Sequence, residues 1–207
     1  MGQKQMQKSA LTRSKILCAA ETEFSEKGFF GARIDSIAKT ASVNKRMIYE
    51  HFTSKEGLYE TVLLEVYERL ARCESLFIVD DLLDPTLALR NVIYVYFRFL
   101  EENPTFIRML MWENLNGAQS IDEREREAKS PALEYIGKQV RRGKEMGVFK
   151  KEADEYQVVL SVMNFGFSYF SNIHTLSAIL ERDMKSKEEI MRRADFVSNL
   201  IIKYLTA

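Results

Sequence analysis

Residues 44–51, NKRMIYEH, combine side-chain types that suit contact with a nucleic acid. An arginine guanidinium can bind both acceptors on the edge of guanine, and a methionine can contact the thymine methyl group. A lysine ammonium and a tyrosine hydroxyl suit phosphate oxygens. Because these side chains share one short predicted helix, the segment is predicted to enter the major groove of double-stranded DNA.

The elements that must position this segment form a helix-turn-helix in residues 34–58. Ile34, Ile37 and Ala38 recur at helical spacing, and Ala41-Ser42-Val43 supplies a compact turn before the second helix. Ala38 has a side chain small enough for two helices to cross closely. The outward positions of the second helix are then Asn44, Lys45, Arg46, Met47, Tyr49 and His51.

The stretch from about Thr12 to about Tyr67 has a set of residues at fixed spacing: Ala19, Ala20, Phe24, Gly28, Phe29, Asp35, Ile37, Ala38, Tyr49, His51, Phe52, Ser54, Lys55, Glu56 and Leu58. With these residues the stretch resembles the TetR family of bacterial transcriptional regulators. Ser42 stands where the family usually has a turn glycine, and Ala32 where a threonine commonly caps the second helix. A serine at positive φ costs about 1 kcal/mol relative to glycine, so we expect a slightly strained turn.

The resemblance implies two groups of DNA contacts. Tyr49, His51 and Lys55 match positions that hold the DNA backbone. Arg33, at the start of the helix before the turn, matches a position that often adds a phosphate or base contact. Glu50 is expected to point away from phosphate or to pair with a neighbouring cation. The positions that face base edges are matched by Lys45, Arg46 and Met47.

Composition and charge favour a helical DNA-binding protein. The 207 residues are 46% hydrophobic and include only three prolines and nine glycines, and helical periodicity dominates, so we predict an all-α fold. Net charge is zero, but residues 1–58 hold ten cations and six acids, a local charge of +4 that the remainder balances. A basic end on an acidic body suits phosphate binding.

The motifs of other protein classes are missing from the sequence. It has no Gly-rich phosphate loop, no H-E-x-x-H and no Cys-x-x-Cys, so we predict that the protein is not an enzyme and uses no cofactor or metal. No signal peptide and no apolar run of about 18 residues are found, and a cytoplasmic location is expected.

Capping signals divide the chain into about nine helices. The first is predicted from about Thr12 to Lys27, ending at Gly28. A capping box at Thr53-x-x-Glu56, with Ser54 as an alternative N-cap, opens a long helix. We predict a helix-turn-helix domain at 1–53 and a helical effector-binding and dimerisation domain at 54–207, with the charge run at 122–129 as a solvated loop or helix extension.

The predicted body contains candidates for an effector site and for a dimer contact. A polar seam beginning at Ser161 could face a solvated edge, a partner subunit or a ligand cavity. In TetR-like proteins the last two helices form the dimer interface, and we expect there the stripe of Ile190, Ala194, Val197, Ile201 and Tyr204. An effector pocket, or alternatively a packed core, is predicted among Phe97, Trp112, Phe165 and Tyr169, with Asn114 or Asn172 as polar contacts.

The preferred interpretation is a repressor that binds a palindromic operator as a homodimer and is released by a small-molecule effector. The alternative is an effector-independent architectural DNA-binding or protein-interaction factor with the same fold. An enzyme is the third possibility, and the sequence offers no pair of nucleophile and base to support it.

Overall fold

The computed structural model describes residues 2–77, 84–121 and 131–207, which form ten α-helices and no β-strand. The predicted all-α class is confirmed. The short α9 is the helix that the sequence did not separate from its neighbour. The helices are α1 (Gly2–Gly31), α2 (Ile34–Ala41), α3 (Lys45–Phe52), α4 (Lys55–Phe77), α5 (Pro85–Glu102), α6 (Pro104–Leu115), α7 (Pro131–Glu145), α8 (Glu155–Ser171), α9 (Ile173–Leu180) and α10 (Lys187–Thr206).

The chain divides into two compact units. The first unit comprises Met1–Glu68 and Arg108–Ala128, and the second comprises Arg69–Ile107 and Lys129–Ala207. The domain boundary predicted between residues 53 and 54 stays a prediction. The charge run at 122–129 lies outside the described residues.

In the first unit, α1 is interrupted at Gly28, where the helix was predicted to end. Gly28 has φ 66° and ψ 176°, a conformation that essentially only glycine adopts. The indole of Trp112 covers this position, because a Cβ built on Gly28 would lie 2.7 Å from Trp112 Cδ2. The indole N–H donates to the carbonyl of Ser25 at 3.2 Å. The start of α1 was predicted near Thr12 but lies at Gly2.

The turn between α2 and α3 has the strained serine that the sequence predicts. Ser42 adopts φ 56° and ψ 45°, in the left-handed region. Its N–H donates to the carbonyl of Lys39 at 3.1 Å, and the N–H of Val43 donates to the carbonyl of Ala38 at 3.0 Å. These bonds satisfy carbonyls at the end of α2, so the turn keeps its form without glycine.

The turn between α3 and α4 is tighter. Thr53 has φ 66° and ψ −49°, and the N–H of Ser54 donates to the carbonyl of Phe52 at 2.6 Å, which closes a strained γ-turn. Ser54 Oγ accepts from the N–H of Gly57 at 3.1 Å, so the predicted alternative Ser54 is the N-cap of α4. The capping box predicted at Thr53 is wrong, because Thr53 is the C-cap of α3. Gly57 leaves room for the Phe52 carbonyl, which would lie 2.6 Å from an added Cβ.

In the second unit, α10 packs against α5 and α8. The residues of the predicted dimer stripe, Tyr204 apart, are buried by this packing within the chain, with Ile190 at 3% and Val197 at 0% exposure. The prediction that these residues form the dimer contact is therefore wrong. The hydrophobic period shows that a helix face is buried but does not show what covers it.

The break at Gly28 gives a test of the packing in the first unit. Gly28→Ala should lower the free energy of unfolding by about 1 kcal/mol through positive φ and by roughly 1–3 kcal/mol more through collision with Trp112. Gly117→Ala is the matched control, since Gly117 has φ 72° with open space around it, and only the first cost applies. If urea denaturation shows the same loss in free energy of unfolding for both variants, the packing of the indole on Gly28 is contradicted.

Candidate nucleic-acid interface

The start of α2 is held by a carboxylate from α1. The N-cap residue Arg33 makes no capping bond through its side chain. Glu23 Oε1 instead accepts from the N–H of Arg33 at 3.1 Å, and it also accepts from Lys27 Nζ at 2.8 Å. A negative charge at the N-terminus of a helix is stabilised by the helix dipole. Glu23 thus supplies the cap that a threonine in place of Ala32 would have provided.

Glu23 keeps its charge although it is nearly buried. Burial raises the pKa of the carboxyl group, but hydrogen bonds from Lys27, from the backbone of Arg33 and from Ser36 together lower it below its ordinary value. The carboxylate is therefore ionised at neutral pH and links α1 to α2.

The reader helix α3 is fixed at its start and along its inner side. Asn44 Oδ1 accepts from the N–H of Arg46 at 2.9 Å, so Asn44 is the N-cap. Ile48 and Phe52 are buried, at 0% and 6% exposure. The opposite side of α3 is therefore left for a partner. Among the predicted DNA contacts on this helix and its cap, Asn44, Lys45, Arg46 and Tyr49 are exposed, whereas Met47 and His51 are half-buried.

Both cations predicted to read bases are paired with carboxylates. Lys45 Nζ lies 2.9 Å from Asp35 Oδ1, and Arg46 Nε lies 2.8 Å from Glu50 Oε1. The hydrogen bond and charge of Asp35 raise the pKa of Lys45. The expectation that Glu50 pairs with a neighbouring cation is confirmed. Exposed ion pairs contribute only about 0–1 kcal/mol, so DNA can displace these carboxylates at small cost.

Lys55 has a structural contact that the sequence did not predict. Its Nζ donates to the carbonyl of Ala32 at 2.7 Å and lies 4.8 Å from the centre of the Phe29 ring. The ammonium therefore ties the start of α4 to the connection between α1 and α2. Two of its three N–H donors are not used by the carbonyl, and a phosphate contact by Lys55 stays a prediction.

Arg33 and Tyr49 are exposed and available for contact. Among the described residues, the Arg33 guanidinium and the Tyr49 hydroxyl have no hydrogen-bond or ion-pair partner in the chain. Both lie in the first unit with α3, Arg33 at the start of α2 and Tyr49 on α3. Their roles at DNA stay predictions.

The predicted effector residues are divided between the two units. Trp112 and Asn114 belong to the first, where the indole covers Gly28 and the Asn114 amide donates to the Leu110 carbonyl at 3.0 Å. In the second unit the Phe97 and Tyr169 ring centres lie 6.5 Å apart. The Tyr169 hydroxyl donates to Met184, Phe165 lies beside Arg193, and Asn172 donates to Ser168. An effector pocket formed by these residues stays a prediction.

Sequence reasoning missed Gln139, which lies on α7 and is fully buried. Its Oε1 accepts from Arg142 at 3.2 Å, but Nε2 has no acceptor in the part of the chain that the structure describes. A buried donor without an acceptor costs about 1–3 kcal/mol, so a bound molecule that supplies an acceptor would be stabilised there. A single glutamine in an amphipathic helix gives no sequence signal for this.

Comparison with known proteins gives matches over both units. The family described as bacterial regulatory proteins, tetR family, matches residues 16–62, and the tetracyclin repressor-like C-terminal domain matches residues 85–201. The chain is 32% identical over 203 residues to the HTH-type transcriptional repressor NicS of Pseudomonas putida, a match that covers 96% of this chain and 94% of NicS. It is 30% identical to the regulator UidR of Escherichia coli over 57% of this chain and 66% of UidR.

A solved structure shows the same fold. The fatty acid degradation regulator FadR from Bacillus halodurans superposes with a TM-score of 0.71 at 19% identity, over 92% of this chain and 94% of FadR. The chain belongs to the TetR family and is a DNA-binding transcriptional regulator. Because the relatives are regulators, the prediction that the protein is not an enzyme is confirmed. None of the described helices is long and apolar enough to cross a membrane.

The cap supplied by Glu23 predicts a dependence of stability on pH. Glu23→Gln should lower the free energy of unfolding by about 2 kcal/mol at neutral pH, because charged hydrogen bonds are lost. Since the folded-state pKa is lowered, the advantage of the wild type is full above the ordinary value of 4.5 and disappears as pH falls through the folded-state value.

Glu26→Gln on the same helix is the matched control, because Glu26 is exposed and has no such bonds with the residues that the structure describes. Urea denaturation at several pH values measures both variants. If the difference in free energy of unfolding between the two variants does not narrow in acid, the role of the Glu23 charge is contradicted.

Proposed function

We propose that the protein is a cytoplasmic transcriptional repressor that binds a palindromic operator as a homodimer and is released by a small-molecule effector. The observation that carries the proposal is the exposed side of α3, with two cations held only by displaceable surface ion pairs. The full-length similarity to NicS, which is named a repressor, supports repression. Residues 1–53 would form the DNA-binding domain and 54–207 the effector-binding and dimerisation domain.

On the operator, Lys45 and Arg46 exchange their carboxylate partners for base edges. Met47 lies beside them, where it can reach a thymine methyl. Tyr49 and Lys55 bind phosphates and set the position of α3 in the groove. Arg33, Asn44 and His51 are assigned to supporting contacts with the DNA.

The two groups of contacts separate in a DNA-binding experiment. Arg46→Ala should weaken binding to a duplex selected by the wild-type protein by about 1–3 kcal/mol per lost base contact, with a smaller effect on random duplex. Tyr49→Phe removes only a hydroxyl that has no partner in the described chain, so binding to both duplexes should weaken alike. Equal losses on both duplexes for Arg46→Ala would make Arg46 a backbone contact.

Lys55 needs a variant measured for both affinity and stability. Lys55→Ala removes a phosphate contact in each half of a dimer, so the salt slope should flatten by about 2 units. It also removes the bond to Ala32, so thermal denaturation must accompany the titration. An unchanged salt slope at concentrations where the variant stays folded would show that Lys55 is structural only.

Two exposed apolar stripes in the second unit support a homodimer. On α8, Tyr156, Leu160 and Met163 are 67%, 36% and 37% exposed and recur at helical spacing. The stripe on α10, which packs against α8, is Phe196, Leu200 and Tyr204, at 59%, 42% and 40% exposure. Exposed apolar stripes on two helices that pack together are typical of an interface in which the same surface meets its copy.

Substitution within the stripes tests this homodimer. Leu200→Glu should convert a dimer into a monomer in sedimentation, because each interface would bury two unpaired carboxylates. Leu87→Glu is the matched control, since Leu87 is 56% exposed on α5 and outside the stripes. A wild-type monomer at micromolar concentration, or a Leu200→Glu dimer, would contradict the assignment.

For the effector we favour a site in the second unit. Two observations support it: the buried Gln139 amide on α7, which has no acceptor among the described residues, and the aromatic cluster of Phe97, Tyr169 and Phe170 on α5 and α8, the helices against which α7 packs. A ligand with an apolar body and a hydrogen-bond acceptor would suit both features.

Gln139 provides a test of the effector site. From a metabolite panel, a compound that raises the melting temperature should also weaken operator binding. Gln139→Met should retain operator binding without the compound but lose most of the response to it, because the amide donor is gone. A full response in Gln139→Met would exclude this amide from the site.

A further inference from the structure

The positive charge of the DNA-binding end is concentrated before the helix-turn-helix. Residues 1–15, here called the basic segment, hold four cations and no acid, whereas residues 16–58 hold six cations and six acids. The whole charge of +4 in residues 1–58 therefore lies in the basic segment. The tetR family match begins at residue 16, after this segment.

Residues 16–58, which include the helix-turn-helix, have little charge left with which to attract DNA. Their six acids balance their six cations, and three of these cations are paired, Lys27 with Glu23, Lys45 with Asp35 and Arg46 with Glu50. Binding to duplex DNA depends on cations that replace condensed counterions along the phosphates. Because residues 16–58 are neutral and half of their cations are paired, DNA binding needs a further source of positive potential.

The basic segment is a regular helix from Gly2 onward, and every residue from 5 to 11 is exposed. Lys8 and Lys15 are seven residues apart, which places them on one side of the helix. In the sequence, Lys4 precedes Lys8 by four residues and so continues the same helical spacing. Lys8 and Lys15 are exposed and have no ion-pair partner among the described residues.

The position of Arg13 shows where the segment leads. Its Cζ lies 5.4 Å from the centre of the ring of Phe52, the last residue of α3. Gly28 lies fifteen residues further along α1, which places it about 22 Å from Arg13 along the helix axis. At that other end, Gly28 lies against Trp112. The basic segment therefore extends from the end of α1 that adjoins the reader helix and continues about 16 Å past Arg13.

We propose that the basic segment binds the phosphates of duplex DNA that flank the half-site contacted by α3. The lysine row supplies attraction and affinity without base recognition, and α3 supplies sequence recognition. This inference rests on the proposed DNA binding of α3. It adds a second contact region, outside the helix-turn-helix, to each half of the complex.

The test uses the full-length chain with Lys4→Gln, Lys8→Gln and Lys15→Gln combined. The matched control is Lys151→Gln, Lys185→Gln and Lys187→Gln, three exposed lysines of the second unit, which gives the same change in total charge. Both are titrated over a salt series with two duplexes selected by the wild-type protein. One duplex ends at the half-sites and the other continues past them.

On the longer duplex, the basic-segment variant should bind about tenfold more weakly or worse, and its salt slope should flatten by about 2 to 5 units. On the shorter duplex the loss should largely vanish, and the control variant should match the wild type on both. Discrimination between selected and random sequence should not change. Circular dichroism and thermal denaturation verify that the variant is folded.

The outcomes separate this inference from the proposed function. If the basic-segment variant matches the control while Arg46→Ala still loses sequence discrimination, the segment does not bind DNA and the role of α3 stands. A loss that is equal on the short and long duplexes also overturns the flanking contact. If the wild-type protein selects no duplex from a random pool, both proposals fail together.

Discussion

The geometry of the DNA-binding unit depends on the buried carboxylate of Glu23. Helix α2 begins without a side-chain cap, so its first N–H groups need an acceptor from elsewhere, and Glu23 on α1 supplies it. This bond fixes the start of α2 against α1, and the Ser42 turn then fixes the start of α3. Once Ile48 and Phe52 are buried, the helical period leaves Arg46 and Glu50 outward. The Glu23 carboxylate on α1 thus contributes to the orientation of α3 and to the set of side chains that α3 exposes.

The electrostatics of the reader are balanced, not strongly positive. Asp35 and Glu50 neutralise Lys45 and Arg46 in the free protein, and both pairs are exposed enough for water and salt to weaken them. In the proposed complex, random DNA offers phosphates to Lys45 and Arg46 but not the hydrogen-bond pattern of a matched base edge, so it would compensate poorly for the nearby carboxylates of Asp35 and Glu50. The two ion pairs would then lower the affinity for random DNA more than the affinity for the operator, which favours sequence discrimination.

Local backbone chemistry made part of this structure predictable from sequence. Gly28 ends the regular helix, Ser42 forms the turn, and Ser54 caps α4, because each depends on residues within about four positions. Contacts between distant residues were not predictable. Glu23 with Arg33, Lys55 with Ala32, and Trp112 with Gly28 are separated by 10, 23 and 84 positions, and no helical period relates them. The exposure of Lys45, Arg46 and Tyr49 was predictable because exposure on a short helix follows from spacing, whereas the intrachain partners of these residues do not follow from it. Their contacts with DNA stay predictions.

The C-terminal helix α10 also shows that the sequence does not predict which elements cover a helix face, whereas the fold does. Hydrophobic residues on α10 fall on two sides, since Ile190, Ala194 and Val197 are buried within the chain while Phe196 and Leu200 are exposed. A sequence pattern marks both sides as apolar and does not show which side is buried within the chain. The fold shows this, because α5 and α8 cover the first side. A helix that is apolar on two sides needs two neighbours, and the described chain supplies a neighbour for one side only. The uncovered side of α10 and the exposed stripe of α8 lie on helices that pack together, and a second copy of the same surface is therefore the partner we propose for both stripes.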